Sequence, residues 1–279
     1  MENKLYETGT LIETIENEVN INSNHLNLES LQALSHKITN IKKLCVSLNI
    51  PDFSKALWCY ETITSILYKY TYIFALFKEK QFYLAWCELE KIEIALASLK
   101  KHLSIEGNVC NLEFIEESVY DLQKLFPYRI FVSHESIYRE IECSICKQRI
   151  SIRKPCGHIV GEIYDGEICG RHILRADLLA IAFTENPVHK YAVCNISYDQ
   201  ESKLIDNYNY ELIEGFFKIV TSPNDSWKME TNVLSLPHEN FIDFAPNDYC
   251  PCGSAEKYSA CCLNKQGVKH VKYIIHLIQ

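Results

Sequence analysis

Glycine is scarce in this sequence, at nine of 279 residues. With 47% of residues hydrophobic, that scarcity argues against a disordered chain or a loop-rich secreted scaffold, neither of which buries a core of its own. Long apolar runs are missing as well. The longest, Ile66 to Phe77, is broken by Lys69 and falls short of the ~20 residues a bilayer demands, so no membrane association is expected. An excess of positive charge is also absent. A net charge of −8 gives no general attraction to nucleic acid or anionic lipid. The opening Met1-Glu2-Asn3-Lys4 lacks the basic and then apolar pattern of an export signal, and the expected compartment is a reducing cytoplasm.

What the chain has in quantity is cysteine, thirteen in all. In a reducing compartment such a number means metal ligands and buried thiols more often than disulfides, and an odd count suits that reading. Charge is unevenly spread: the first thirty residues hold six glutamates against Lys4, whereas the residues after Cys262 hold three lysines, two histidines and no acid.

Hydrophobic spacing predicts a mixed α+β fold, predominantly helical. Residues 1–127 read as an antiparallel helical array. Leu28, Leu31, Leu34, Ile38, Ile41, Leu44 and Leu48 recur at three and four. Pro51 ends that stripe, with Asp52 or Ser54 as the next cap. Further stripes run from Leu57 to Phe77, from Ala85 to Leu103 and from Leu112 to Phe126. Tyr68, Tyr70 and Tyr72 cannot share one helix face. Beyond Pro127 the texture changes, and residues 128–220 read as a metal-stabilised α+β domain. Short alternating runs there suggest strands at 128–133, 136–142, 148–153 and 191–197. Helices are expected at 174–183 and around Ile205 to Ile219. Residues 221–246 read as a linker, 247–264 as a small metal module, and 265–279 as a basic tail.

The module is marked by "CPCGSAEKYSACC", the pattern Cys-x-Cys-x8-Cys-Cys formed by Cys250, Cys252, Cys261 and Cys262. Two pairs brought together by a returning chain suit a tetrahedral zinc ion, which would also supply the folding energy a segment this small lacks. Adjacent cysteines rarely pair with each other, so two disulfides are the weaker reading. Cys250-Pro-Cys-Gly-Ser, Lys257-Tyr258 and Cys261-Cys262 resemble the SEC-C motif, the zinc module that closes the bacterial preprotein translocase ATPase. The resemblance implies zinc on Cys250, Cys252, Cys261 and Cys262. It further implies docking to a protein or ribosomal partner through loop lysines. Of those lysines only Lys257 is kept; Glu256 and Ser259 stand at two such positions, and Ala255 replaces a usual glycine.

A second cluster, "CSICKQRISIRKPCGHIVGEIYDGEICGRH", offers Cys143, Cys146, Cys156, His158, Cys169 and His172. A Cys-x2-Cys turn followed by Cys/His positions completes a tetrahedral site. The expected ligands are Cys143, Cys146, His158 and Cys169, with Cys156 as the competitor, so two zinc ions are expected in the chain. The opening half resembles a RING finger, but Ile159-Val160-Gly161-Glu162 lacks the Cys-x2-Cys that a RING requires next. The span from Tyr128 to Val193 resembles a zinc module of SEC-C-tailed bacterial proteins, to which no activity is attached.

Catalytic signatures are missing. His134-Glu135 is followed by Tyr138 where a zincin needs histidine, and Pro155-Cys156 has no upstream His-x-Glu for a deaminase. Neither a Gly-x-Ser-x-Gly nor a glycine-rich nucleotide loop occurs. Cys45, Cys59, Cys87, Cys110 and Cys194 read as core thiols. The expectation is therefore a non-enzymatic zinc protein, an interaction adaptor whose terminal module docks a protein partner. The alternative partner is a ribosome or RNA, met through the basic tail. The rival is a zinc-dependent hydrolase or nuclease at the second cluster, with Glu162, Asp165 and Glu167 as acids. No small-molecule substrate is implied.

Overall fold

A computed structural model describes residues 2–194, 196–201, 204–254 and 256–278, so Ala255 lies outside the described residues. The chain divides into two compact units, Met1–Asn224 and Asp225–Gln279. It is a mixed α+β protein, as the spacing predicts.

The first unit opens with five helices: α1 (Glu2–Asn24), α2 (Leu28–Ser47), α3 (Pro51–Lys78), α4 (Phe82–Leu99) and α5 (Leu112–Leu125). The predicted stripes become their buried faces, for example Leu31, Leu34 and Ile38 on α2. The Asn27 side chain accepts from the N–H groups of Glu29 and Ser30, capping α2, a contribution of about 1 kcal/mol. Neither Asp52 nor Ser54 caps α3. Pro51 is itself the first helical residue, where its missing N–H costs nothing. The α3 helix packs against α1, α2 and α4, which is why it is apolar on most sides. The tyrosines divide as their spacing requires: Tyr70 is fully buried against Phe74 and Phe114, while Tyr68 and Tyr72 stack on one another.

The rest of this unit is strand-rich. β1 (Phe131–Cys143) pairs antiparallel with β4 (Arg171–Thr184). Between them lies a hairpin of β2 (Ile163–Tyr164) and β3 (Glu167–Ile168). A pair of short strands, β5 (Ile196–Tyr198) and β6 (Leu204–Asp206), precedes helix α6 (Glu211–Phe217). Three expectations change here. Residues 174–183 form a strand and not a helix: their Ala and Leu content favours helix locally, but pairing with β1 along the whole segment overrides that weak preference. The helix expected from Ile205 is confined to Glu211–Phe217, because residues 204–206 pair with β5. Strand 148–153 is reduced to isolated bridges, Glu142 with Arg149 and Ser151 with Lys154.

Hydrogen bonds tie this strand-rich part to the helices. Trp86 Nε1 donates to the Lys190 carbonyl at 2.7 Å and Tyr83 Oη to that of Tyr191 at 2.8 Å. The buried Glu90 accepts the Lys190 N–H at 2.6 Å, while its second oxygen has no partner among the described residues. Burial pushes the Glu90 carboxyl above its usual range, opposed by the Lys190 N–H. A carboxyl raised on folding holds its proton in the native state after the unfolded chain has lost it. Stability therefore falls as pH rises from the unfolded value through the folded one. Glu90→Gln is expected to abolish that fall and to raise stability at neutral pH relative to wild type, which urea unfolding across pH 4 to 7 would read; a decrease at every pH would show that the carboxylate stabilises.

In the second unit β7 (Ser226–Leu236) and β8 (Val268–Ile278) pair antiparallel from Ser226–Ile278 to Leu236–Val268. The stretch read as a linker thus contains β7, and the stretch read as a basic tail is largely β8. Their β-branched and aromatic residues suit a pleated ribbon, and each lacks a partner within its own local sequence. The cysteine module is the connection between the two strands. At its exit a Cβ on Gly267 would lie 2.5 Å from the Leu236 carbonyl oxygen, a contact only glycine avoids.

Candidate metal centres

In the second unit, tight local turns bring the four cysteines together. The Gly253 N–H donates to the Cys250 carbonyl at 3.0 Å with φ of +78° at Gly253, and the Cys250 N–H donates to the Glu256 carbonyl at 2.7 Å. The result sets Cys250 and Cys252 opposite Cys261 and Cys262, with all four sulfurs within 4.8 Å of one another. Cys252 Sγ lies 3.5 Å from Cys261 Sγ, and Cys261 Sγ 3.7 Å from Cys262 Sγ. Four sulfurs each ~2.3 Å from one ion would be ~3.8 Å apart, so the spacing is that of a coordination tetrahedron and too long for any disulfide.

The thiols differ in acidity. Burial pushes the Cys250 thiol up to about 12. Cys252 is also raised by burial, but the Ser254 hydroxyl and N–H, with the Cys250 and Cys261 thiols, draw it down to about 6. Ser254 Oγ also donates to Cys261 Sγ at 3.2 Å. Ser254 thus offers donors to the sulfurs that would remain as their second shell once an ion is bound. Beneath the sulfurs Tyr258 and Val268 are buried, with Phe241 and Leu263 packed against them. Tyr258 Oη meets His238 Nδ1. Because His238 Nε2 faces the Lys265 carbonyl at 2.9 Å, which can only accept, Nε2 carries the proton and Nδ1 accepts from the tyrosine.

These residues identify the module. Residues 247–264 match the SEC-C motif. No curated protein and no solved structure matches the chain. The four SEC-C cysteines are the set named from sequence, and they form one cluster that could hold a metal ion.

The central cluster is built by the end of β1 and the loop after it. Lys147, with φ of +58°, closes the knuckle as its N–H donates to the Cys143 carbonyl at 3.0 Å. Donor atoms of Cys143, Cys146, Cys156 and His158 fall within 4.8 Å of one another. The Cys146 N–H draws the Cys143 thiol down to about 6; burial opposes it, and the Ile145 N–H with the Cys156 and Cys146 thiols assist. His158 supplies the clearest sign that an ion fits. Its ring is held edge-on by Tyr164 at 4.6 Å, and its Nδ1 is buried with no hydrogen-bond partner among the described residues.

Of the residues chosen from sequence, Cys143, Cys146 and His158 are gathered with Cys156. Cys169 is buried with its Sγ 3.9 Å from Cys143 Sγ, beside the four-donor group but outside it. His172 points instead to Glu142, 3.3 Å away. Nothing in the sequence separates Cys156 from Cys169: β1–β4 pairing, which brings Cys143 opposite Arg171, sets their positions. Of the three acids considered for a hydrolase, Glu162 and Asp165 are exposed, and Glu167 is engaged elsewhere. Glu167 is ion-paired at 2.8 Å to Lys42, a buried lysine that also holds Glu61. Asp165 and Gly166, both at positive φ, form the β2–β3 turn. His102 Nε2 donates to the Gly161 carbonyl at 2.8 Å, so the knuckle is anchored on the helices from two sides. Cys45, Cys59 and Cys110 are buried thiols, Cys87 and Cys194 partly so. None joins a metal group among the described residues.

Proposed function

We propose that this chain is a non-enzymatic zinc-binding adaptor: both clusters hold Zn²⁺, and the SEC-C module docks a protein or ribonucleoprotein partner in a reducing, cytoplasmic setting. The observation that carries the reading is that each cluster offers four converging protein donors, mostly cysteine sulfurs. Zinc takes four such donors in closed structural sites, whereas a catalytic zinc keeps a position for water. The ion supplies rigidity. The chain's own residues supply the surface: Lys257, Lys265, Lys269 and Lys272 are all exposed, which suits an acidic protein face or ribosomal RNA.

Affinity capture with metal-loaded wild type and with Lys257→Ala/Lys265→Ala/Lys269→Ala tests this. The same bound partner, identified by mass spectrometry and retained only by wild type at equal zinc content, is the expected result. Equal capture by both would remove the docking role. Zinc-dependent turnover of ester or phosphodiester substrates would remove the non-enzymatic one.

A further inference from the structure

The loop that carries the central cluster is basic in a chain that is acidic overall. From Cys143 to Gly161 the sequence contains Lys147, Arg149, Arg153 and Lys154 and no aspartate or glutamate. This loop and the β1–β4 ribbon enclose an open groove of about 740 Å³, lined by Tyr138, Arg139, Ile150, Ile152, Arg153 and Arg171 among others, with no carboxylate in its lining. Carboxylates stand nearby and account for part of the charge. Asp177 takes Arg139 at 2.7 Å, and Glu140 takes Arg149 and Arg175. Arg153 and Arg171 have no carboxylate partner among the described residues, and both are exposed. Between them the apolar surface is open: Ile152 is wholly exposed and Tyr138 half exposed.

We propose that this groove binds single-stranded nucleic acid, with Arg153 and Arg171 on phosphates and Tyr138 and Ile152 against bases. Guanidiniums with free donors match phosphate geometry. An exposed ring beside a basic track is the combination that holds unpaired bases without reading their sequence. A duplex would offer phosphates but keep its bases stacked away from Tyr138. An acidic peptide would use the arginines and leave the ring and Ile152 without a partner. The central ion belongs to this design, because Arg153 lies between the donors Cys146 and Cys156 and the folded knuckle fixes where it points. The groove belongs to the first unit and the SEC-C module to the second, so the inference does not rest on partner docking there.

Fluorescence anisotropy on the metal-loaded full chain decides it, with labelled single-stranded RNA, single-stranded DNA and duplex DNA of about twelve nucleotides and a polyglutamate peptide as probes. Saturable binding of a single strand, weakening steeply with salt, is expected; the RNA and DNA arms show which sugar is preferred. Arg153→Ala/Arg171→Ala should weaken it about tenfold and make the log–log salt slope shallower by roughly one to one and a half. Tyr138→Ala should weaken it about tenfold with the slope unchanged. Zinc content by native mass spectrometry confirms that each variant keeps its knuckle, and Arg153→Lys/Arg171→Lys should keep the wild-type slope. The proposal is overturned by absence of wild-type binding at low salt, or by duplex or polyglutamate binding as tightly as a single strand. Unchanged binding by the arginine variant overturns it too, as does binding that disappears only on substituting Lys265, Lys269 and Lys272.

Discussion

Cys250→Ser/Cys252→Ser is expected to reduce bound zinc from two ions per chain to one and to unfold the SEC-C module. The magnitude follows from how little else holds the module. Tyr258 and Val268 are its buried apolar side chains apart from the cysteines, supported by Phe241 and Leu263, at about 2 kcal/mol each. A structural zinc contributes about 10–16 kcal/mol, more than these few side chains together. Native mass spectrometry should therefore count one ion in the variant. Hydrogen exchange should show protection lost from residues 247–264 and at the adjoining Leu236–Val268 end of the β7–β8 ladder. A variant that still holds two ions, or keeps wild-type protection across the module, would show that these cysteines do not carry the fold.

The sequence made that site legible because all of its ligands come from one short segment, where spacing alone dictates which sulfurs can meet. The helices were legible for a related reason: the stripes on α2 to α5 are local periodicities, although the cap expected at Asp52 or Ser54 gave way to Pro51 as the first helical residue. The ribbons were not. Residues 174–183 carry helix-favouring Ala and Leu, and only their pairing with β1, far away in sequence, makes them a strand. β7 and β8 each find their partner across the whole SEC-C module, so one resembled a linker and the other a tail. Lys42 was invisible as a tether for the same reason: its partners Glu61 and Glu167 lie on other elements, and a lysine on an amphipathic helix signals solvent until the fold buries it.

The central cluster falls between these extremes, and its ligand set gives the second large expected effect. Cys156→Ser should lose the central ion to a competing chelator under conditions where wild type retains it, because it removes one of four converging donors. Cys169→Ser should keep the ion and weaken it about 10- to 100-fold, the range for a residue that touches a ligand without binding the metal, since its sulfur contacts Cys143. Loss of the ion should also be felt in the helices. The knuckle is fastened to them by the Lys42–Glu167 ion pair and the His102–Gly161 hydrogen bond, so a loosened knuckle would leave Lys42, buried beside Glu61, without one of its two counter-charges. Removing one partner of a buried charge costs about 3–5 kcal/mol, but Glu167 is largely exposed, and a melting temperature lowered by only a few degrees is the expected reading. The reverse order of metal affinities, with Cys169→Ser losing the ion and Cys156→Ser keeping it, would assign the fourth position to Cys169 and make Cys156 the neighbour. An unchanged melting temperature in the metal-free variant would show that the knuckle is a passenger on the helical array and not one of its braces.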